Sequence, residues 1–168
     1  MPTFYLMRHG QAEMHATSDA ERRLTAYGRS YTQQIADQLA HVLNKYKKTL
    51  PVIIHSPYVR ANETAQIICD AIRPGSDTVS QNSQLSSGKK EFSLATPDNQ
   101  PQVCFDALNE YENLSFLLVS HMPLLASLSS LLEHGNSFQP HPFQTSELRC
   151  YDIDQWMAGT ARFNYRLL

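Results

Sequence analysis

The sequence predicts an α/β protein, a three-layer sandwich in which helices flank a mostly parallel central sheet. Two patterns carry that expectation. Three short runs, residues 3–7, 51–55 and 116–119, are almost wholly apolar instead of alternating, as strands buried on both faces are. Each is followed by a stretch with helical spacing, and strand–helix alternation is how parallel strands are connected. At 168 residues the chain has the length of one domain, taken as 1–168, with enough residues for a full core.

The first strand is Thr3-Phe4-Tyr5-Leu6-Met7. A helix follows from an N-cap at Thr25, with Tyr31, Ile35, Leu39, Val42, Leu43 and Tyr46 on one face. Lys45, Lys47 and Lys48 fall in its last turn, where cations complement the helix dipole. After the second strand, Ser56-Pro57 reads as an N-cap with proline at the first helical position. That helix places Ala61, Ala65, Ile68 and Ile72 on one face and stops at Arg73-Pro74-Gly75. Residues 75–101 read as loop with a short strand at 78–80, and 102–111 as helix. Residues 113–132 carry no formal charge and are long enough to raise the question of a membrane span. Ser120, His121 and Pro123 interrupt the stretch, so a strand, a turn and a Leu-rich helix through Glu133 is the expectation, with no membrane contact. A loop over 134–144 then leads to two runs, 147–153 and 160–167, read as a hairpin at the sheet edge.

Composition excludes several functions. Lys+Arg number 14 against 16 Asp+Glu, a net charge of -2, with no basic arm, which argues against nucleic acid as a partner. The closest pair of the 6 glycines lies 13 residues apart, so neither GxGxxG nor GxxxxGK[ST] can be written. Any phosphate is handled without a glycine-rich cradle. Cys69, Cys104 and Cys150 form no CxxC and suit a reducing cytoplasm. His9, His55, His121, His134 and His141 lack HExxH or HxxxH spacing, so no metal and no cofactor is expected.

In open α/β sheets, ligands bind beyond the carboxyl ends of the strands. The first strand ends in Arg8-His9-Gly10, the second in Ser56-Pro57 with Arg60 just beyond, and the third in Ser120-His121. Two arginines and two histidines at one sheet edge suit phosphoryl transfer. Guanidinium forks hold phosphate oxygens, one histidine can attack phosphorus, and the other can donate to the equatorial oxygens. Each residue alone has a plainer reading: a chance tripeptide, a surface ion pair, a core histidine. Their joint occurrence at three strand ends raises the odds.

The blocks Arg8-His9-Gly10, Leu24-Thr25-x-x-Gly28, Ser56-Pro57-x-x-Arg60-Ala61-x-x-Thr64-Ala65 and Val119-Ser120-His121-x-Pro123 resemble the histidine phosphatase, or phosphoglycerate mutase-like, superfamily. The resemblance implies that fold and a phosphohistidine mechanism, with His9 as nucleophile, Arg8 and Arg60 on the phosphoryl group, and His121 completing the pocket. Ser18-Asp19 ahead of Arg22-Arg23-Leu24-Thr25, and Phe143-x-Thr145-Ser146, are similar to the small SixA-type phosphohistidine phosphatases. By that likeness Arg22 extends into the phosphate pocket; a solvated loop arginine is the bland reading.

Larger relatives carry a helical lid between the second arginine block and the last histidine, and that lid supplies an acid. Here the connection from Arg60 to His121 is short and polar, so no lid insertion is expected. Where many relatives have an acidic residue before a leucine, the sequence reads Ser83-Gln84-Leu85. Glu13, Glu91 and Asp98 are candidate acids by type only. Expelling imidazole, whose conjugate acid has a pKa near ~6.5, needs less proton assistance than expelling an alkoxide. The expected substrate is therefore a phosphohistidine-bearing protein, a phosphotransfer domain or histidine kinase of a bacterial relay. A small-molecule phosphomonoesterase and a non-catalytic phosphate-binding module are the alternatives.

Overall fold

The computed structural model describes residues 3–73 and 88–168; the expected strand at 78–80 and the Ser83-Gln84-Leu85 segment lie outside them. In chain order the elements are β1 (Thr3–Arg8), α1 (Ala26–Lys45), β2 (Val52–His55), α2 (Val59–Ile72), β3 (Lys89–Glu91), α3 (Pro101–Leu108), β4 (Phe116–Ser120), α4 (Leu124–His134), β5 (Leu148–Asp152) and β6 (Arg162–Leu167). The six strands form one sheet in the order β3-β2-β4-β1-β5-β6. Pairings β3–β2, β2–β4 and β4–β1 are parallel, whereas β1–β5 and β5–β6 are antiparallel. The late hairpin thus closes one edge of a parallel sheet, as its two runs predicted.

Alternation along the central strands divides the core into two layers. Phe4 and Leu6 of β1, with Phe116 and Leu118 of β4, pack with Phe105, Leu108, Leu125 and Leu128 from α3 and α4. Tyr5, Met7, Leu117 and Val119 face the other way, among Ile35, Leu39, Ala61, Ala65 and Ile68 from α1 and α2. Both faces are covered, which is why the runs lack a polar period. Among the described residues no helix is long and apolar enough to cross a membrane; the uncharged 113–132 stretch is spent on β4 and α4.

Three local expectations need correction. Ser56 is not a helix N-cap, because α2 begins at Val59. Its backbone N–H continues the sheet ladder to Val119 O (3.0 Å), and its hydroxyl is bonded to His121, just beyond the end of β4. Lys47 and Lys48 lie outside α1, which ends at Lys45; Lys47 has φ of 48°, in the left-handed region. Within the expected 75–101 loop, Lys89–Glu91 pairs with β2 as an edge strand. A charged Lys-Lys-Glu run carries no apolar signal, and charge is what protects an exposed edge. Thr25 does cap α1, its hydroxyl accepting from Gly28 N at 2.9 Å.

Candidate active site

Strands β2, β4 and β1 are neighbours and parallel, so their carboxyl ends open on one stretch of the sheet edge. Arg8, the last residue of β1, lies in register with Ser120, and His9 N donates to Ser120 O at 3.0 Å. His55 ends β2 opposite Val119. His9, Ser56 and His121 therefore leave three adjacent strands at the same level, and α2 begins close enough to add Arg60.

Two hydrogen bonds fix the His9 ring. Nδ1 lies 2.7 Å from Gly10 O, and a carbonyl only accepts, so Nδ1 carries the proton. Nε2 then presents its lone pair, which accepts from Arg60 Nε at 3.2 Å. Gly10 N donates to Thr64 Oγ1 (3.0 Å), and Thr64 Oγ1 donates to Arg60 O (2.7 Å), tying the turn after β1 to α2. A side chain at residue 10 would meet Thr32 Oγ1 at 2.5 Å, which accounts for glycine there.

His121 lies against His9, with ring centroids 4.9 Å apart. Its Nε2 is hydrogen-bonded to Ser56 Oγ at 2.7 Å, and that oxygen also accepts from Tyr58 N (3.3 Å). The Tyr58 ring packs edge-on against His121, 4.9 Å between centroids, and under the Arg60 guanidinium at 5.0 Å. Arg8 Nη1 donates to Phe143 O at 2.7 Å. Arg8 Nε and His121 Nδ1 are buried without a hydrogen-bond partner, two polar atoms of one cluster suited to a polyoxygenated ligand.

Charge and burial act together here. Burial first, then the Arg60 and Arg8 guanidinium groups, push His9 down to about 4, against an opposing pull from the Gly10 carbonyl. His121 is driven down to about 2 by burial, then by His9 and Arg60. Arg8 is lowered from its ordinary value by burial and by Arg60. Both imidazoles are thus neutral at physiological pH beside two cations. Such a cluster can bind a tetrahedral oxyanion and attack it with an imidazole lone pair. Among the described residues no group of three or more His, Cys, Asp or Glu is placed to hold a metal ion.

Arg8, His9, Arg60 and His121 are brought together as expected. Arg22 sits at the rim, donating to Asp19 Oδ1 (2.9 Å) and Glu13 O (2.5 Å). Asp19 bridges it to Arg60, which bonds both Asp19 O and, at 2.9 Å, Asp19 Oδ2. Asp19 is held below the usual carboxylate range by its hydrogen bonds from Arg22 and then Arg60, so it accepts and does not supply a proton. The candidate acids Glu13, Glu91 and Asp98 are exposed, and none is bonded to the four central residues. Asp19, Ser56 and Thr64 are the contributors that residue-type reasoning passed over. Ser56 and Thr64 sat inside the third motif block but read as a cap and a helix residue; Asp19 sat beside Arg22 without a visible role.

Residues 4–86 match the family model of the histidine phosphatase superfamily (branch 1). The chain is 26% identical over 166 residues to the phosphohistidine phosphatase SixA of Escherichia coli, covering 97% of this chain and 91% of that protein. It is 30% identical over 149 residues to a phosphohistidine phosphatase SixA homolog of Haemophilus influenzae, covering 86% and 85%. Among solved structures, the protein histidine phosphatase SixA complexed with tungstate superposes with a TM-score of 0.78 at 25% identity, over 98% of this chain and 96% of that one. A structure from Agrobacterium tumefaciens described as a putative phosphohistidine phosphatase SixA gives 0.72 at 19% identity, over 100% and 99%, a likeness of fold. With likeness of this order running through nearly the whole chain, in sequence as well as in fold, the chain belongs to the histidine phosphatase superfamily and is a phosphatase.

Proposed function

We propose that this phosphatase removes phosphate from phosphohistidine on a protein, through a covalent intermediate at His9 and without a metal ion. The observation that carries this reading is the His9 ring: Nδ1 is committed to Gly10 O and Nε2 offers a neutral lone pair beside Arg60. In the first step the phosphoryl oxygens lie on Arg8 and Arg60, and Nε2 attacks phosphorus in line. The bond from phosphorus to the substrate's ring nitrogen breaks, and its electron pair leaves with that ring. With the ring's other nitrogen protonated, the leaving group is a neutral imidazole and no carboxylic acid is required. Water then attacks the His9 phosphorus, phosphate departs, and the lone pair returns to Nε2. His121 Nδ1 is suited to contact the equatorial oxygens, and Arg22 adds positive charge at the rim.

The two curated relatives, both described as phosphohistidine phosphatases or homologs, support the substrate class. The tungstate complex of a structural relative supports a tetrahedral oxyanion as the ligand. The described part of the connection between the arginine and histidine blocks also fits an accessible site: β3 joins the sheet, and α3 packs against α4. A phosphotransfer domain or histidine kinase of a signalling relay is the protein substrate this reading favours.

The test is phosphate release from a protein labelled on phosphohistidine. Expected are turnover, a transient acid-labile and alkali-stable phosphoenzyme, and loss of both in His9→Ala, with the rate down by roughly a thousandfold or more. Full activity in His9→Ala refutes the nucleophile. A higher kcat/KM on sugar or aryl phosphates than on phosphohistidine refutes the substrate class. Phosphate binding with no phosphoenzyme identifies a binding module instead.

A further inference from the structure

Among the described residues, the chain buries an ion pair that the reaction does not use. Glu147 and Arg149 are 1% and 8% exposed, and Arg149 Nε donates to Glu147 Oε1 at 2.7 Å. Burying two charges is costly, and apolar residues of similar size often serve stability as well or better. What the pair touches offers a reason for it. The second carboxylate oxygen accepts from Gln144 N at 2.7 Å. The guanidinium donates onward to His141 O (3.3 Å) and Pro142 O (2.8 Å), and lies 3.8 Å from the centre of the Phe143 ring. Two side chains therefore clamp the backbone from residue 141 to 147 at three points.

That same backbone holds the phosphate-binding end of β1. Phe143 O accepts from Arg8 Nη1 (2.7 Å), Glu147 O accepts from Arg8 N (3.0 Å), and Ser146 N donates to His9 O (3.1 Å). Ser146 sits at φ of 62°, in the left-handed region, with its hydroxyl bonded to Thr32 Oγ1 at 2.8 Å, so the segment does not take this shape by local preference alone. Arg8 has a long side chain, and among the described residues its one side-chain hydrogen bond is to Phe143 O. That bond ties the guanidinium to the 141–147 segment.

The geometry points to Glu147 and Arg149 as positioning residues: their buried ion pair shapes the 141–147 segment so that Phe143 O aims the Arg8 guanidinium at the phosphoryl group. The carboxylate also lies close enough to Arg8 to favour its charged form against burial. The inference rests on Arg8 as an oxyanion ligand, and the experiment separates the two claims.

The dissociation constant for tungstate is measured on the wild type, Arg8→Ala, Glu147→Gln, Arg149→Lys and the combinations of each of the last two with Arg8→Ala, alongside urea unfolding. Glu147→Gln is expected to weaken tungstate on the order of tenfold in the wild-type background and to add nothing once Arg8 is gone, a coupling typical of residues that act through one another. Arg149→Lys retains charge but loses the fork that spans two carbonyls, so it is expected to behave the same way more mildly. It supplies the reading should Glu147→Gln fail to fold. Equal weakening with and without Arg8, or a loss of stability with unchanged tungstate affinity, overturns the positioning role. An Arg8→Ala protein that binds tungstate like the wild type overturns the underlying assignment of Arg8 instead.

Discussion

His9 and His121 are the same residue type and both have a depressed proton affinity, yet their hydrogen bonds give them different offices. His9 spends Nδ1 on a carbonyl and keeps Nε2 for attack; His121 spends Nε2 on Ser56 and keeps Nδ1. A nucleophilic imidazole must be unprotonated, and burial beside two arginines achieves this across the physiological range. In the ligand-free protein, nitrogen-15 NMR is expected to show His9 neutral at pH 6 as the Nδ1–H tautomer, titrating near pH 4. Adding tungstate should move the midpoints upward, because a bound dianion favours imidazolium as much as the arginines oppose it. A free-protein midpoint near 6.5 would remove the electrostatic account. The four central residues were legible because each is a chemically loaded side chain at or shortly beyond the end of a strand. Their partners were not, since a serine that orients a histidine and a serine that caps a helix look alike before the strands are placed. Asp19 is the same case: a loop carboxylate becomes a bridge between Arg22 and Arg60 only through tertiary structure.

Whole elements were easier to read than their edges. Continuous apolar runs revealed β1, β2 and β4, and the periodicity of 3.6 residues revealed α1, α2 and α4, because burial on both sheet faces leaves no other pattern. The strand β3 was hidden by its charge, and the start of α2 by the double use of Ser56. The packing of α1 on the turn after His9 depends on one missing side chain. A Cβ at Gly28 would stand 2.1 Å from Gln11 O and 2.9 Å from Gln11 C, inside the backbone of that turn. Glu63 holds the same region by accepting from Leu24 N (2.8 Å) and Arg29 (2.5 Å). Helix propensity alone would make Gly28→Ala stabilising by up to about 1 kcal/mol. The backbone clash opposes this with about 2 kcal/mol or more, so the clash decides the sign. Urea unfolding is expected to give a destabilised protein with weakened tungstate binding; a gain in stability would mean that α1 does not approach the turn so closely.

At the scale of the whole molecule, a net charge of -2 conceals a cationic pocket whose histidines are denied their protons, and this couples the site to global stability. In the unfolded chain, His9 and His121 titrate near their ordinary 6.5, whereas the folded protein holds them to about 4 and about 2. Below pH 6.5 the unfolded state therefore takes up protons that the folded state refuses. The stabilisation is whole above that pH and drains away as the pH falls toward the folded values. Buried His55, also lowered, acts in the same direction. The slope is roughly 1.4 kcal/mol per histidine for each pH unit inside the window. Asp19, with its folded value depressed, loses its contribution only at more acid pH, so the interval from pH 7 to pH 5 reports chiefly on histidines. Urea midpoints are expected to fall steeply across that interval in the wild type and much less in a His9→Asn, His121→Asn double variant. Equal slopes in the two proteins would mean that the histidines are not held neutral by the fold, and that the pocket is wetter than its burial implies.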